Sequence, residues 1–316
     1  LFRSVVVLHP LGGVDDELRD RGELGAAKHV VEHLLELRND HDKQERRYAD
    51  SRKEDDDRVD HRALHLVLDL LALLGELRQT REDDFEEFQK RIYARIEGVP
   101  LQYIVGMQEF MGLPFRVNPS VLIPRLDTEI LVEQVLGIIE GKDMKRPEIL
   151  DLCTGSGAIG VSLAAKVPDA IVTLTDVSEE TLQTAMSNAG LNGVNRRCIF
   201  LLGDMFAAIP DDKTYDLIVC NPPYIPSAVI DTLDIEVKEH EPRMALDGGK
   251  DGLDYYRIIA DKASLHLKTG GLLALEIGAE QAADVRKLLN DAKTYEEIRV
   301  IRDLAHLDRA VMATRR

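Results

Sequence analysis

The sequence is poor in the residues that mark several classes of protein. It contains no tryptophan, 5% aromatic residues and three cysteines among 316 residues. The cysteines, which are Cys153, Cys198 and Cys220, form no CxxC pair, so the pattern fits neither a zinc ribbon nor the disulfide framework of a small secreted domain. We expect them to be small buried thiols in a reducing compartment, and we predict no metal site.

Long apolar runs and a basic excess are also missing. The longest apolar runs, such as residues 70–74, are too short to cross a bilayer, and no signal peptide is visible, so we expect a cytoplasmic protein without a membrane partner. With 40 Lys and Arg against 57 Asp and Glu, the formal net charge is −17. A broad nucleic-acid surface needs clustered basic residues, so we expect a small-molecule or protein partner and no direct contact with nucleic acid.

The first part of the chain differs from the rest. Residues 1–80 hold six of the nine histidines, without the matching carboxylates of a metal motif, and a charged stretch at residues 38–62. Candidate helices lie at residues 24–37 and 63–77. The chain opens on Leu1, so the natural start is expected to lie elsewhere. Two interpretations of residues 1–80 stay open: a helical domain, or a stretch that is disordered or foreign to the gene.

The middle of the chain predicts a connector. A helix is predicted at residues 83–96 and is followed by short β segments at 103–106, 110–117 and 121–124, separated by Gly and Pro. We interpret these segments as a β-hairpin that joins two domains. The predicted boundaries are a helical region at residues 1–98, the connector at 99–126 and a second domain at 127–316.

The second domain shows an alternating pattern of apolar runs and helical stretches. A helix is predicted at residues 128–139. Strands are predicted at residues 148–152, 171–175, 198–202, 217–220, 271–276, 297–302 and 309–314, and helices at 159–166, 179–192, 254–267 and 279–291. Strands that alternate with helices in this way predict an α/β fold, in which a parallel sheet is covered on both faces.

A glycine-rich turn follows the first predicted strand of this domain, at residues 151–160 (DLCTGSGAIG). Its glycines allow the backbone to approach a ligand closely, and the next helix offers free amides at its amino end. The second strand ends in Asp176, 21 positions after Gly155, where a carboxylate can accept both hydroxyls of a ribose. The turn also matches the dinucleotide fingerprint GxGxxG, so an NAD-dependent oxidoreductase stays open.

Further polar residues at strand ends favour a cofactor other than a dinucleotide. Asp151 can accept a hydrogen bond from a cofactor's ammonium group or can order the glycine turn, and a dinucleotide site has no particular need for it. Asp204 can accept the adenine amino group, and Met205 or Phe206 can lie against its ring.

The segment Asn221-Pro222-Pro223-Tyr224 follows the apolar run at residues 217–220. The two prolines stiffen the loop, so the Asn221 amide and the Pro222 carbonyl point in defined directions. Two acceptors beside an aromatic ring suit a flat group that carries an NH2, such as a carboxamide or an aminated base. The alternative is that the prolines merely end a strand and that Asn221 caps the turn.

Together these motifs resemble the class I methyltransferases that use S-adenosylmethionine. Residues 110–115 (FMGLPF), 121–129 (VLIPRLDTE) and 241–252 (EPRMALDGGKDG) are similar to the family of peptide chain release factor glutamine methyltransferases, and the resemblance covers residues 83–316. It implies a Rossmann-like, mostly parallel sheet with an antiparallel last strand and a smaller helical N-terminal domain. The implied reaction transfers a methyl group to the side-chain amide of the glutamine in a release factor's Gly-Gly-Gln motif.

The resemblance and the strand-end analysis together give a set of site residues. The predicted cofactor residues are Asp151, Cys153, Thr154, Gly155, Ser156, Gly157, Asp176, Asp204, Met205 and Asn221. The predicted substrate-binding residues are Asn221, Pro222, Pro223 and Tyr224, of which Asn221, Pro222 and Tyr224 are the catalytic ones.

The chain departs from the family pattern at three positions: Leu126 replaces a usual Pro, and Cys153 and His306 stand where Gly is common. Three alternatives remain. One is methylation of an exocyclic amine on a DNA or RNA base. The second is the NAD-dependent oxidoreductase, and the third is a binding protein without turnover. A monomer is expected.

Overall fold

The computed structural model describes residues 83–303 and 305–316. The predicted helices at residues 24–37 and 63–77 lie outside the described residues. The same holds for both interpretations of residues 1–80 and for most of the proposed N-terminal region at 1–98.

The described chain begins with two helices and a hairpin. They are α1 (Asp83–Ile96), α2 (Leu101–Val105), β1 (Met107–Phe110) and β2 (Leu113–Arg116), and the two strands pair antiparallel. The predicted strand at residues 103–106 is wrong, because residues 103–105 belong to α2 and Gly106 caps its carboxyl end. The Pro100 carbonyl accepts hydrogen bonds from the backbone amides of Tyr103 (3.0 Å) and Ile104 (3.2 Å). A short apolar run fits a turn of helix as well as a strand.

The predicted strand at residues 121–124 is also wrong. Its backbone has no strand partner among the described residues. The Ile123 amide instead donates to the Glu241 carboxylate (3.3 Å), and the Val121 amide donates to the Asn118 carbonyl (3.1 Å). A carboxylate from a distant segment thus takes the place of a neighbouring strand.

Residues 126–316 form a seven-stranded sheet flanked by helices. In chain order the elements are α3 (Leu126–Gly141), β3 (Glu148–Leu152), α4 (Ala158–Lys166), β4 (Ile171–Asp176), α5 (Glu179–Leu191), β5 (Cys198–Leu202), β6 (Tyr215–Cys220), α6 (Ser227–Ile230), α7 (Ile235–Lys238), α8 (Arg243–Leu246), α9 (Asp254–Lys262), β7 (Leu267–Glu276), α10 (Ala282–Ala292), β8 (Tyr295–Arg302) and β9 (Asp308–Arg315). The strand order is β5-β4-β3-β6-β7-β9-β8.

The predicted sheet is confirmed. Only the last strand, β9, runs antiparallel to its neighbours, β7 and β8. The first strand, β3, pairs with β4 on one side and with β6 on the other. The chain order therefore reverses between β3 and β6, and ligands of open α/β sheets bind at the carboxyl ends of the strands at such a point.

Several predicted boundaries in the second half are corrected by the structure. The helix predicted at residues 254–267 ends at Lys262, and β7 begins at Leu267 rather than at residue 271. The glycine pair at residues 270–271 lies inside the strand, next to a register shift between β6 and β7. The three short helices between β6 and α9 were not predicted, because four-residue helices carry too little periodicity to be recognised.

The core lies on both faces of the sheet. Along β6, Leu217 and Val219 pack on one face, whereas Ile218 and Cys220 pack on the other. This alternation of buried residues on both faces is typical of a parallel sheet between two helical layers. Within residues 83–303 and 305–316, none of the helices combines the length and the apolarity needed to span a membrane.

Candidate active site

A pocket lies at the carboxyl edge of the sheet, where β3, β4 and β6 end. Leu152 at the end of β3 is in register with Thr175 of β4 and with Cys220 of β6. This pairing brings the glycine turn, Asp176 and Asn221 together. Of the predicted site residues, the pocket wall contains Cys153, Thr154, Gly155, Ser156, Asp176, Asp204, Met205, Asn221 and Pro223.

The glycine turn is held by its own backbone and by β4. The Thr154 amide donates to the Thr175 carbonyl (2.9 Å), and the Gly157 amide donates to the Thr154 carbonyl (2.9 Å). Cys153 has φ 58°, which is the left-handed region that favours glycine. This backbone conformation explains why glycine is the expected residue there, and the cysteine adopts it with its side chain half-buried at the pocket wall.

Asp151 lies beneath the turn and is not part of the pocket wall. Its Oδ2 atom accepts hydrogen bonds from the Thr154 hydroxyl (2.5 Å) and from the Gly160 amide (2.8 Å), and the residue is 0% exposed. Of the two predicted roles, these contacts favour ordering of the glycine turn over contact with a cofactor's ammonium group. Burial raises the pKa of Asp151 to about 7, although the two hydrogen bonds oppose that shift.

Asp176 joins the pocket wall to the turn. Its Oδ2 atom accepts the Gly155 amide (3.0 Å), and its Oδ1 atom accepts the Ser178 amide (3.1 Å). Burial raises the pKa of this carboxyl, and the hydrogen bonds partly counteract the rise. Asp176 is thus oriented by two backbone donors while it still faces the pocket.

The adenine side of the predicted site contains Asp204 and Met205. Asp204 is exposed and Met205 is buried, and both line the pocket. Phe206, the alternative to Met205, points elsewhere and stacks on His266 with the ring centroids 5.4 Å apart. The structure therefore brings Met205, rather than Phe206, to the pocket.

The loop at residues 221–224 forms the opposite side of the pocket. The Asn221 Nδ2 atom donates to the Thr128 hydroxyl oxygen (3.4 Å), so Oδ1 is the atom of this carboxamide that can serve an incoming donor. Asn221 and Pro223 line the pocket, whereas Pro222 and Tyr224 adjoin them in the chain without lining it. The Tyr224 hydroxyl donates to Glu276 Oε1 (3.4 Å), and burial raises the pKa of Tyr224 well above its usual range.

The loop at residues 221–224 packs closely on residues 248–252, which belong to the run at 241–252 that resembles the family. The Tyr224 carbonyl accepts a hydrogen bond from Gln281 Nε2 (2.9 Å). A Cβ atom at Gly252, where φ is 75°, would lie 2.3 Å from the same carbonyl oxygen. A Cβ atom at Gly248 would lie 2.8 Å from the Pro223 carbonyl. Gly248 and Gly252 are therefore required by the close approach of the loop.

Sequence reasoning missed two pairs of residues around the pocket. Arg125 lines the pocket and forms an ion pair with Glu241, which is 5% exposed. Thr128 also lines the pocket and accepts the hydrogen bond from Asn221 Nδ2 (3.4 Å), whereas Glu276 at the end of β7 accepts the Tyr224 hydroxyl (3.4 Å). Arg125, Thr128 and Glu241 lie in the runs at residues 121–129 and 241–252 that sequence reasoning had singled out, but no local signal marked Glu276.

Glu276 is 3% exposed, and burial raises its pKa to about 7. The Thr128 hydroxyl and the charge of Arg309 oppose this rise in the pKa of Glu276, whereas the charge of Asp127 adds to it. The pocket thus has one buried carboxyl beneath the glycine turn and another beneath the loop at residues 221–224. Across the described part of the chain, no three His, Cys, Asp or Glu side chains come together as metal ligands.

Comparisons with known proteins agree with this geometry. The family model "Methyltransferase small domain" matches residues 127–235. The release factor glutamine methyltransferase of Moorella thermoacetica is 46% identical over 229 residues, which cover 72% of this chain and 80% of that protein. The release factor glutamine methyltransferase of Bradyrhizobium diazoefficiens is 42% identical over 250 residues, which cover 78% of this chain and 84% of that protein.

Among solved structures, a 16S rRNA N2 G1207 methyltransferase of T. thermophilus aligns with a TM-score of 0.50 and 17% identity. The alignment covers 66% of this chain and 50% of that chain. At this identity the likeness concerns the fold alone.

Proposed function

The chain belongs to the release factor glutamine methyltransferase family, and from this premise we propose how its pocket works. The protein transfers a methyl group from S-adenosylmethionine to the side-chain amide nitrogen of the glutamine in the Gly-Gly-Gln motif of peptide chain release factors. The observation that carries this proposal is the position of Asn221. Its carboxamide shares one pocket with the glycine turn and Asp176.

The residues of the pocket fit S-adenosylmethionine. Asp176 offers a carboxylate fixed by two backbone amides for the ribose hydroxyls, and Met205 offers an apolar surface for a ring. Asp204 is exposed at the wall, where it can accept the adenine amino group. The other contacts that we assign to the cofactor are those of Cys153, Thr154, Gly155, Ser156 and Asn221. Asp151 and Gly157, which do not line the pocket, support these residues. When bound, the cofactor supplies a methyl group on a positively charged sulfur.

The task of the acceptor loop is to hold a poor nucleophile. The lone pair of an amide nitrogen is delocalised into its carbonyl, so the nitrogen attacks only when it is well oriented. We assign Asn221 Oδ1 and the Pro222 carbonyl as acceptors for the two amide hydrogens of the glutamine, which turns the nitrogen towards the cofactor side of the pocket. No strong base is needed, because the nitrogen becomes acidic as the new N–C bond forms and the bond between the methyl group and the sulfur breaks. The nitrogen then releases its proton to solvent.

Pro223 and Tyr224 keep this orientation. Pro223 lines the pocket beside Asn221 and stiffens the loop. The Tyr224 ring is anchored through its hydroxyl to Glu276, which supports its proposed role of packing against the glutamine side chain and excluding water. Family membership favours a glutamine side chain of a protein over an amine of a nucleic-acid base as the methyl acceptor. It likewise favours S-adenosylmethionine over NAD as the cofactor. The monomeric state, the cytoplasmic location and the lack of nucleic-acid contact stay predictions.

Incubation with labelled S-adenosylmethionine and a release factor tests the proposal. We expect label in the Gly-Gly-Gln glutamine and none when that glutamine is replaced by Glu, which lacks the NH2 group. Label that persists after the replacement would contradict the assigned acceptor. A single-stranded DNA or RNA oligonucleotide serves as the competing acceptor in a parallel reaction.

A further inference from the structure

Tyr255 lines the pocket, and none of the roles assigned above uses it. It is the second residue of α9, and its side chain is half-buried. Of the described residues that form the pocket wall, it is the only aromatic one. Phe206, which sequence reasoning had offered as the ring beside the adenine, stacks on His266 instead. The pocket therefore has one aromatic side chain, and its role is open.

The start of α9 is fixed in a way that places this side chain at the pocket wall. The next residue, Tyr256, is 1% exposed, and its hydroxyl donates to the Glu276 carbonyl (2.8 Å). The Asp254 amide donates to the Gly248 carbonyl (3.1 Å) and so ties the first turn of the helix to the segment before it. Successive side chains lie about 100° apart around a helix axis, so a core position for Tyr256 leaves Tyr255 beside the pocket.

The ring of Tyr255 belongs to the cofactor side of the pocket. Tyr255 and Cys153 both pack on the core cluster that contains Met205. Cys153 Sγ lies 3.5 Å from Met205 Sδ. Burial raises the pKa of Tyr255, and the negative charges of Cys153 and Asp204 add to the rise. Tyr255 thus adjoins residues that we assign to the cofactor, including the two on the adenine side.

An aromatic ring suits this side of the pocket because adenine is a flat base with two apolar faces. Met205 offers an apolar surface to such a base, and a tyrosine ring can stack on it. Stacking of a base on an aromatic side chain strengthens binding by about 5- to 150-fold. The acceptor loop already has an aromatic residue of its own in Tyr224.

We propose that Tyr255 is a cofactor-binding residue whose ring stacks on the adenine base of S-adenosylmethionine, on the side of the pocket that contains Asp204 and Met205. It thereby makes the site specific for a ligand that carries a flat base. The inference rests on the proposed function, since it concerns the cofactor of the same reaction.

The Tyr255→Leu variant tests the proposal, because it removes the ring and keeps an apolar side chain. We expect the Kd of S-adenosylhomocysteine, the demethylated cofactor, to rise about 30-fold, and the KM of S-adenosylmethionine to rise with it. Tyr255→Phe keeps the ring and should recover most of the lost affinity. Tyr93→Leu makes the same exchange on α1, at a position that is 50% exposed and outside the pocket wall, and should change neither constant.

A ligand without the base separates stacking from general damage to the site. S-Ribosylhomocysteine lacks adenine but keeps the ribose, the sulfur and the amino-acid part of S-adenosylhomocysteine. The ratio of the affinities for the two ligands should fall about 30-fold in Tyr255→Leu, because only the ligand with a base loses a contact. A merely structural role would weaken both ligands alike. An unchanged ratio in Tyr255→Leu would overturn the proposal.

Nuclear magnetic resonance on the unaltered protein gives a second test, which does not depend on whether Tyr255→Leu folds. With isotope-labelled tyrosine, we expect nuclear Overhauser effects between the H2 or H8 proton of bound adenine and a tyrosine ring. These effects should be lost in Tyr255→Phe, which has no labelled ring at this position. Their absence from the unaltered protein would likewise overturn the proposal.

The proposed function is judged separately, by methyl transfer in the unaltered protein. A failure of that protein to methylate the Gly-Gly-Gln glutamine refutes the function. Normal methylation together with an unchanged ligand ratio in Tyr255→Leu refutes only the role of Tyr255.

Discussion

The two sides of the pocket are built in different ways. The cofactor half, which we define as residues 151–160 with Asp176, is held by hydrogen bonds of 2.5–3.0 Å between residues close in the chain or on the neighbouring strand. The acceptor half, which we define as residues 221–224 with Thr128 and Glu276, depends on bonds of 3.4 Å to partners 93 and 52 positions away. Substitutions in the two halves should therefore separate cofactor binding from methyl transfer.

The largest expected effect is that of Asn221→Ala in the acceptor half. Removal of the carboxamide leaves the glutamine NH2 without its main acceptor, so kcat should fall about 1000-fold, which matches the loss of a preorganised polar contact at a reacting centre. The Kd of S-adenosylmethionine, measured by calorimetry, should change by less than about threefold.

Asn290→Ala provides the matched control for Asn221→Ala. Asn290 is exposed on α10, and its side-chain amide donates to the Arg286 carbonyl in the same helix (2.9 Å), so both kcat and Kd should stay unchanged. A variant Asn221→Ala that retains more than about a tenth of kcat would show that the two halves are not divided as we describe.

Each half contains a buried carboxyl with a raised pKa, and the pH dependence of stability tests this shared property. Burial raises the pKa of both Asp151 and Glu276 to about 7, from ordinary values of 3.8 and 4.5. Between these ordinary values and pH 7 the folded protein holds protons that the unfolded chain releases. The free energy of unfolding should therefore fall as the pH rises through this range, by on the order of 3 kcal/mol for each group, and stay low above it.

Urea unfolding at pH 5 and pH 8 measures this dependence. Asp151→Asn and Glu276→Gln should each remove the part of the pH-dependent free energy of unfolding that comes from the replaced carboxyl. The Asp151→Asn variant should keep the two hydrogen bonds of the turn through its remaining oxygen. If either variant showed the full pH dependence of the unaltered protein, the raised pKa of that carboxyl would be wrong.

Glycine substitutions should affect the two halves differently. In the acceptor half, Gly252→Ala places a Cβ atom 2.3 Å from the Tyr224 carbonyl oxygen at a φ of 75°. It should destabilise the protein by about 2 kcal/mol and lower kcat. In the cofactor half, Gly160→Ala places a Cβ atom 2.8 Å from Asp151 Oδ2 and should instead raise the Kd of the cofactor.

Gly112→Ala separates steric overlap from backbone strain. Gly112 has a φ of 74° but no atom within 4 Å of the added Cβ, so only strain of about 1 kcal/mol is expected, with kcat and Kd unchanged. Thermal unfolding and single-turnover kinetics on the three variants give the comparison. Equal effects of Gly252→Ala and Gly112→Ala on kcat would contradict the close packing of the acceptor loop.

The smallest expected effect is that of Asp176→Asn in the cofactor half. The amide keeps one oxygen but loses an acceptor for either a ribose hydroxyl or the Gly155 amide, so the Kd of S-adenosylmethionine should rise about tenfold. With saturating cofactor, kcat should change by less than about twofold. Asp169→Asn, at an exposed position shortly before β4, serves as the control. A fall in kcat larger than the rise in Kd would place Asp176 in the acceptor half.

The sequence predicted the cofactor half better than the acceptor half. The glycine turn and Asp176 could be placed because they follow apolar strands directly, and strand ends of a parallel sheet meet at one edge. The segments at residues 103–106 and 121–124 were wrongly predicted as strands. The first belongs to a helix that begins after Pro100, and a backbone amide of the second donates to the distant Glu241.

The amino-acid sequence by itself determined the alternation of strands and helices, the turn after β3 and the stiffness of the loop at residues 221–224, because each depends on residues that are neighbours in the chain. Only the tertiary structure decided that Asp151 supports the turn from below, that Met205 rather than Phe206 lines the pocket, and that Thr128 bonds Asn221 while Glu276 bonds Tyr224. These last contacts join three separate segments of the chain. Hydrogen bonds between such segments depend on how the strands order themselves in the sheet, and no local pattern encodes that order.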